Sequence, residues 1–201
     1  MKIRMLLILI IVAGVGVLFS DINLGLGIDL PGTYHTKSNS SEGDTDTNIG
    51  FEAFGEYLMP YQKLDNGMLS WGFGAGYLFP RGWDFEYNIF DEQSFGFIPI
   101  YLVGQYSINM QNNMKYYGKL KAGYDLFYGN NAYTQNAELS GGIYTGISGG
   151  VLLGSNVFFE LIYQQNRGKN SWEYHDEYYD SEDTTNITLS HLSFLFGIQF
   201  K

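Results

Sequence analysis

Leu69-Ser70-Trp71-Gly72-Phe73-Gly74-Ala75-Gly76-Tyr77-Leu78-Phe79 is the stretch that decides the fold. Its bulky residues, Leu69, Trp71, Phe73, Ala75, Tyr77 and Phe79, fall on every second position. Ser70, Gly72, Gly74 and Gly76 fill the alternate ones. A strand repeats its faces every two residues, so one face here is apolar and the other is small. Working outward, the same alternation recurs seven more times. Ile22, Leu24, Leu26, Ile28 and Leu30 oppose Asn23, Gly25, Gly27 and Asp29. Ile49, Phe51, Ala53 and Tyr57 oppose Glu52, Phe54 and Glu56. The fourth strand sets Ile98, Ile100, Leu102 and Tyr106 against Pro99, Tyr101, Val103 and Gln105. The fifth sets Tyr116, Leu120, Ala122, Tyr124 and Leu126 against Lys119, Lys121, Gly123 and Asp125. The sixth sets Ile143, Thr145, Ile147 and Val151 against Ser140, Gly142, Tyr144, Gly146, Ser148 and Gly150. The seventh sets Val157, Phe159, Leu161 and Tyr163 against Phe158, Glu160, Ile162 and Gln164. The last sets Leu192, Phe194, Phe196, Ile198 and Phe200 against His191, Ser193, Gly197 and Gln199. Ile187 and Leu189 are out of phase with that apolar stripe, as a bulge or a continuing strand would make them.

Connections alternate in length. Those at 60–67, 109–113 and 153–156 are short, the first with an Asp65-Asn66-Gly67 turn signal. Those at 31–47, 80–94, 129–138 and 166–186 are longer and polar, and in them acids outnumber bases by about ten. Tight turns on one side and long loops on the other are the asymmetry of an outer-membrane barrel.

The alternation also fits a water-soluble barrel of the lipocalin kind with its apolar face inward. Two features favour lipid outside. The small face is Gly- and Ser-rich, which suits a narrow interior better than a solvated strand surface. The apolar stripes hold no charge, and a Lys or Arg on a lipid face costs about 2–4 kcal/mol at mid-depth.

Composition agrees. Charged residues are 16% of the 201, against roughly 25% in soluble domains, while 26 Gly and 17% aromatics suit many short strands. The absence of Cys excludes disulfides, thiolate metal sites and a Cys nucleophile. A net charge of −10 excludes the basic face that nucleic acid requires. At the N-terminus Lys2 and Arg4 precede an apolar and Gly run over 5–19, short for a span and right for an export signal, with small Ser20 before the cut. The reading divides the chain into a signal peptide over 1–20 and a barrel domain over 21–201.

These features together resemble the small bacterial outer-membrane barrels of the OmpA transmembrane-domain, OmpX and opacity-protein type. The resemblance spans the mature chain and rests on pattern. It implies an all-β, eight-stranded, antiparallel up-and-down transmembrane β-barrel, monomeric, in contact with outer-membrane lipid and lipopolysaccharide. Such families usually end on an aromatic residue, whereas Lys201 follows Phe200 here. No cofactor and no catalytic group are implied.

Several groups are candidates for chemistry. By face, Asp29, Glu52, Glu56, Lys119, Lys121, Asp125 and Glu160 lie inside as one polar network, with Gln105, Gln164 and His191 nearby. Ions in so narrow a space must be paired or hydrated, so a salt-bridged plug is expected, with a gated ion path as the alternative. His191 and Ser193 match the two-residue spacing of the PagL-type lipid A deacylases. Phe194 replaces the Asn of that pattern, no Glu follows, and both residues face inward. Asp44-Thr45-Asp46-Thr47-Asn48 opens like a calcium loop, but Ile49 and Gly55 stand where Gly and Glu are needed. In the last long connection Trp172, Glu173, Tyr174, Asp176, Glu177, Tyr178 and Tyr179 form a candidate interaction surface. Carboxylates can take divalent cations, and Tyr and Trp dominate binding hot spots, so cations and host or surface proteins are its candidate partners. The expected function is structural or adhesin-like and not enzymatic.

Overall fold

The computed structural model describes residues 20–38, 41–81, 95–110, 113–129, 137–154, 156–176 and 179–201; for 137 and 172–183 it describes the backbone. Among the described residues ten strands form where eight are expected: β1 (Asp21–Asp29), β2 (Thr33–Lys37), β3 (Glu42–Asp46), β4 (Gly50–Leu64), β5 (Gly67–Arg81), β6 (Phe95–Asn109), β7 (Met114–Gly129), β8 (Ala137–Leu153), β9 (Val157–Asp176) and β10 (Tyr179–Phe200). All pair antiparallel in the order β1-β4-β5-β6-β7-β8-β9-β10-β2-β3, and β1 also pairs β10. The hydrogen bonds therefore run in a ring through eight strands, with β2 and β3 beside its upper edge. No described helix is long and apolar enough to cross a membrane.

The two additional strands come from residues 31–47, expected as a loop. Up to Asp29↔Ser193, β1 follows β10, and β2 resumes along the same strand at Thr33↔Ser190. Pro31 cannot donate to the ladder, so it interrupts what is otherwise one continuous path. At Gly32 an added Cβ would lie 2.4 Å from the Ser190 carbonyl, so only Gly passes there. The chain then folds back as β3. The second correction concerns 166–186. Most of it is strand, because β9 and β10 stay in register from Val157↔Ile198 to Asp176↔Tyr179.

The face assignments follow the alternation. Leu24, Phe51, Trp71, Phe73, Leu102, Leu120, Ile147, Phe159 and Phe194 point outward and are exposed, while Asn23, Glu52, Glu56, Lys119, Glu160 and Ser193 are buried inside. Small inward positions leave room for large neighbours. A Cβ on Gly25 would lie 2.7 Å from the Phe54 ring, and one on Gly74 2.7 Å from the Tyr101 ring. Ser140 is a correction: it is exposed, because the register shift between Gly141 and Thr145 reverses the faces of β8 above it. Ile187 and Leu189 need no bulge. They are buried on the same face as His191, in a strand that continues upward.

The short turns and the start of β1 mark one end of the ring, here the turn end; the loop end is opposite. Gly154 turns the chain at φ +61°, a conformation that strains other residues. Gly154→Ala is expected to lower stability by about 1 kcal/mol in urea melting, a small effect confined to the turn.

Candidate functional site

The interior is built in layers. At the turn end a cavity of about 460 Å³ is lined by residues including Asn109, Met114, Lys115 and Lys201. Above it lies a space of about 10 Å³ among Asn23, Gln105, Tyr117, Phe158 and Gln199, no more than one water would fill. Gln199 Nε2 donates to Asn23 Oδ1 at 3.0 Å.

The next layer is an ion quartet. Lys119 and Lys121 are adjacent inward positions of β7, with Glu56 arriving from β4 and Glu160 from β9. Lys119 Nζ reaches Glu56 Oε2 at 2.7 Å and Glu160 Oε2 at 2.6 Å. Lys121 Nζ reaches the other oxygens, Glu56 Oε1 at 2.8 Å and Glu160 Oε1 at 3.1 Å. Each ion thus contacts two of opposite sign, and two cations balance two anions. All four side chains are shut off from solvent. Tyr101 Oη donates to Glu56 at 3.1 Å, and aromatic faces cover both ammonium groups, Tyr117 over Lys119 and Tyr101 over Lys121. Packing of Phe54, Phe158, Ile162 and Leu195 at the same level excludes water.

A second polar layer lies above the first. Ser193 Oγ donates to Asp29 Oδ1 at 2.8 Å, and Arg81 Nη2 stands 3.4 Å from Asp29 Oδ2. The Gln164 amide nitrogen lies 3.0–3.1 Å from Glu52, His191 Nε2 and Ser193 Oγ, and its carbonyl accepts from Tyr144 Oη at 2.9 Å. With two hydrogens, that nitrogen serves two of these groups at a time. Asp125 stands apart, accepting from Asn166 Nδ2 and the Arg167 backbone, each at 2.9 Å.

The seven residues expected as one network are therefore divided. Glu56, Lys119, Lys121 and Glu160 form the quartet, Asp29 and Glu52 belong to the amide-centred layer, and Asp125 ties β7 to β9. Arg81 was not anticipated. It follows Pro80 at a strand end, where the irregular step between Leu78 and Arg81 breaks the alternation. Asn23 and Gln199 share inward parity with Glu56 and were legible on that ground.

An apolar stopper lies at the loop end. Tyr34 of β2 packs with Leu78, Phe95, Phe97, Phe127, Ile187 and Leu189, its ring 4.6 Å from that of Phe95.

His191 and Ser193 lie beneath this stopper, both buried, with the Ser193 hydroxyl engaged by Asp29. Asp44, part of the calcium-like segment, instead contacts His35 at 2.6 Å across β2 and β3. Among the described residues no three His, Cys, Asp or Glu side chains gather for a metal. In the candidate surface Trp172, Glu173, Tyr174, Asp176 and Tyr179 have strand backbone but undescribed side chains, and Glu177 and Tyr178 lie outside the described residues.

No protein-family model matches the chain, and no curated protein does. Solved structures do. The outer membrane protein OprG from Pseudomonas aeruginosa is similar over 90% of this chain and 95% of its own, with 14% identity and a TM-score of 0.55. Looser matches are to the outer membrane enzyme PagL (12% identity, 82% of this chain, 97% of that one, TM-score 0.42) and to Ail of Yersinia pestis (12%, 90%, 99%, 0.38). At such identities the likeness to OprG speaks for the fold alone: the chain has a β-sheet architecture of the outer-membrane type.

Proposed function

We propose that the mature chain is a closed eight-stranded barrel in a bacterial outer membrane, exported by the segment over 1–20, monomeric and without enzymatic activity. Its work is structural and interactive, done by the acidic, Tyr-rich loop end. The observation that carries this reading is the filled interior: the ion quartet, the amide layer and the Tyr34 stopper lie in series across the ring. A small gated ion channel would need a path through all three.

The outer surface supports lipid contact. On β7 the exposed apolar residues run from Tyr116 to Leu126. Ten residues span roughly 34 Å along a strand, or about 26 Å along the axis at the usual tilt near 40°, which matches the apolar band of such barrels. Tyr106 and Tyr116 lie toward the turn end, Tyr77 and Tyr124 toward the loop end, as interfacial girdles would. Glu42, Asp44, Asp46 and the carboxylates of 173–183 give the loop end its acidity, suited to divalent cations or basic protein surfaces.

The test is fractionation of cells expressing the full chain, followed by gels with and without boiling and planar-bilayer recording. The expected result is a processed outer-membrane band whose mobility shifts on boiling, with no steady conductance steps. A soluble protein without a shift would overturn the membrane reading. Steady, salt-dependent steps would replace the plug with a channel.

A further inference from the structure

The outward face of β9 changes character above Tyr163. Val157, Phe159, Leu161 and Tyr163 are apolar and exposed, and the positions that continue the column are Gln165, Arg167, Lys169 and Ser171. Across the neighbouring strands Arg167 pairs with Thr188, and Lys169 with Asn186 and Ser140, all neutral hydrogen-bonding residues. Leu192, Phe194 and Ile147 lie below them, outward and exposed.

The placement of bases makes this column distinctive. Among the described residues Arg81, Lys119 and Lys121 are buried, Lys63, Lys115 and Lys201 lie at the turn end, and Lys37 is bonded to Glu42 at 3.1 Å. Among the described residues Arg167 and Lys169 are the two exposed bases at the loop end without an ion pair. Arg167 is also oriented: Nη2 donates to Gln165 Oε1 at 3.4 Å, and Gln165 Nε2 donates to Tyr163 Oη at 3.3 Å. That ladder ties the guanidinium to the top of the apolar column on β9. Glu138, exposed and opposite Ser171, is one row higher and makes no ion pair with either base among the described residues.

Arg167 is ten residues above Val157, the same span as Tyr116 to Leu126 on β7 and about 26 Å along the axis, so it stands at the rim of the apolar band, with Lys169 one row into the headgroup layer. Two cations flanked by hydroxyls and an amide, over an apolar surface, are complementary to an amphiphile with phosphates and sugar hydroxyls above its acyl chains. We infer that Arg167 and Lys169, with Asn186, Thr188 and Ser140, form a binding stripe for a phosphorylated glycolipid of the outer leaflet. The inference rests on the outer-membrane reading.

The test uses the full-length protein expressed and purified in detergent micelles, with bound lipid counted by native mass spectrometry. The probes are bisphosphorylated lipid A, its dephosphorylated form, phosphatidylglycerol and inorganic phosphate. Wild-type protein is expected to retain bisphosphorylated lipid A selectively. R167Q/K169Q is expected to hold it roughly 30-fold more weakly, from about fivefold per surface cation, while K63Q/K115Q at the turn end is unchanged. Equal retention by R167Q/K169Q would overturn the stripe. So would equal retention of dephosphorylated lipid A or phosphatidylglycerol, or displacement by inorganic phosphate. Wild-type protein that is folded, by its boiling shift, yet binds no lipid A would sink this inference and leave the barrel standing. Protein that gives no shift in detergent would sink both.

Discussion

Lys119→Met is expected to destabilise the protein by about 3–5 kcal/mol, read as a loss in the urea concentration at which the gel-shifted folded form disappears. The side chain is buried between Glu56 and Glu160, at 2.7 and 2.6 Å. Its removal leaves two buried carboxylates sharing Lys121, and an uncompensated buried charge is the costly outcome of breaking such a pair. The double variant Lys119→Met with Glu160→Gln restores the balance, because Lys121 and Glu56 remain paired at 2.8 Å. It should recover most of the loss, since replacing a whole buried pair is often close to neutral. A single-variant loss below about 1 kcal/mol would mean that water reaches the quartet and screens it. Conductance of either variant should stay at the wild-type level, because the amide layer and the apolar stopper still lie above.

Leu120→Arg is expected to cost about 2–4 kcal/mol in a lipid bilayer. Leu120 faces outward at 65% exposure, near the middle of the belt on β7. Gln165→Arg, near the loop-end edge of the belt on β9, is expected to cost at most about 1 kcal/mol, because the penalty fades toward the interface. The depth dependence is the informative part. In a water-soluble barrel an exposed Leu exchanged for Arg would be neutral or would improve solubility, and the two variants would behave alike. Urea titration of both proteins in the same vesicles distinguishes the cases.

The alternation made most of the ring legible, because one face had to be apolar along its length and the other had to fit a confined space. Leu69 to Phe79 is the clearest example. Three kinds of feature escaped it. Residues 166–186 carry polar groups on both faces, so no hydrophobic period marks them, although the backbone ladder holds 166–176 and 179–186 as strand. Ser140 reverses its face through a one-residue register shift that composition does not signal. The Tyr34 stopper assembles Phe95, Phe97 and Ile187 from distant segments, and Tyr34 itself comes from a stretch whose Pro and Gly read as loop. For the interior, parity placed the charges inside but could not give their heights. Which Glu meets which Lys depends on strand stagger, and that divided one expected network into the quartet, the amide layer and Asp125.

The ring also constrains how the chain reaches this state. Seven of its eight ladders join strands consecutive around it by local hairpins, or by the short detour through β2 and β3. The eighth joins Ile22 to Phe200, residues of the first and last strands of the ring. Until Phe200 arrives, β1 and β9 are raw edges, and the lower inward faces have no partner across the seam. Such a closure has a high contact order and carries its entropic cost late, so assembly is slow relative to hairpin formation. A partial chain gains little from the interior, because Glu160 on β9 and Ser193 on β10 are supplied near the end. Commitment to the folded state is therefore deferred to the C-terminal strand, and the unclosed precursor is the species that needs protection from edge-to-edge aggregation.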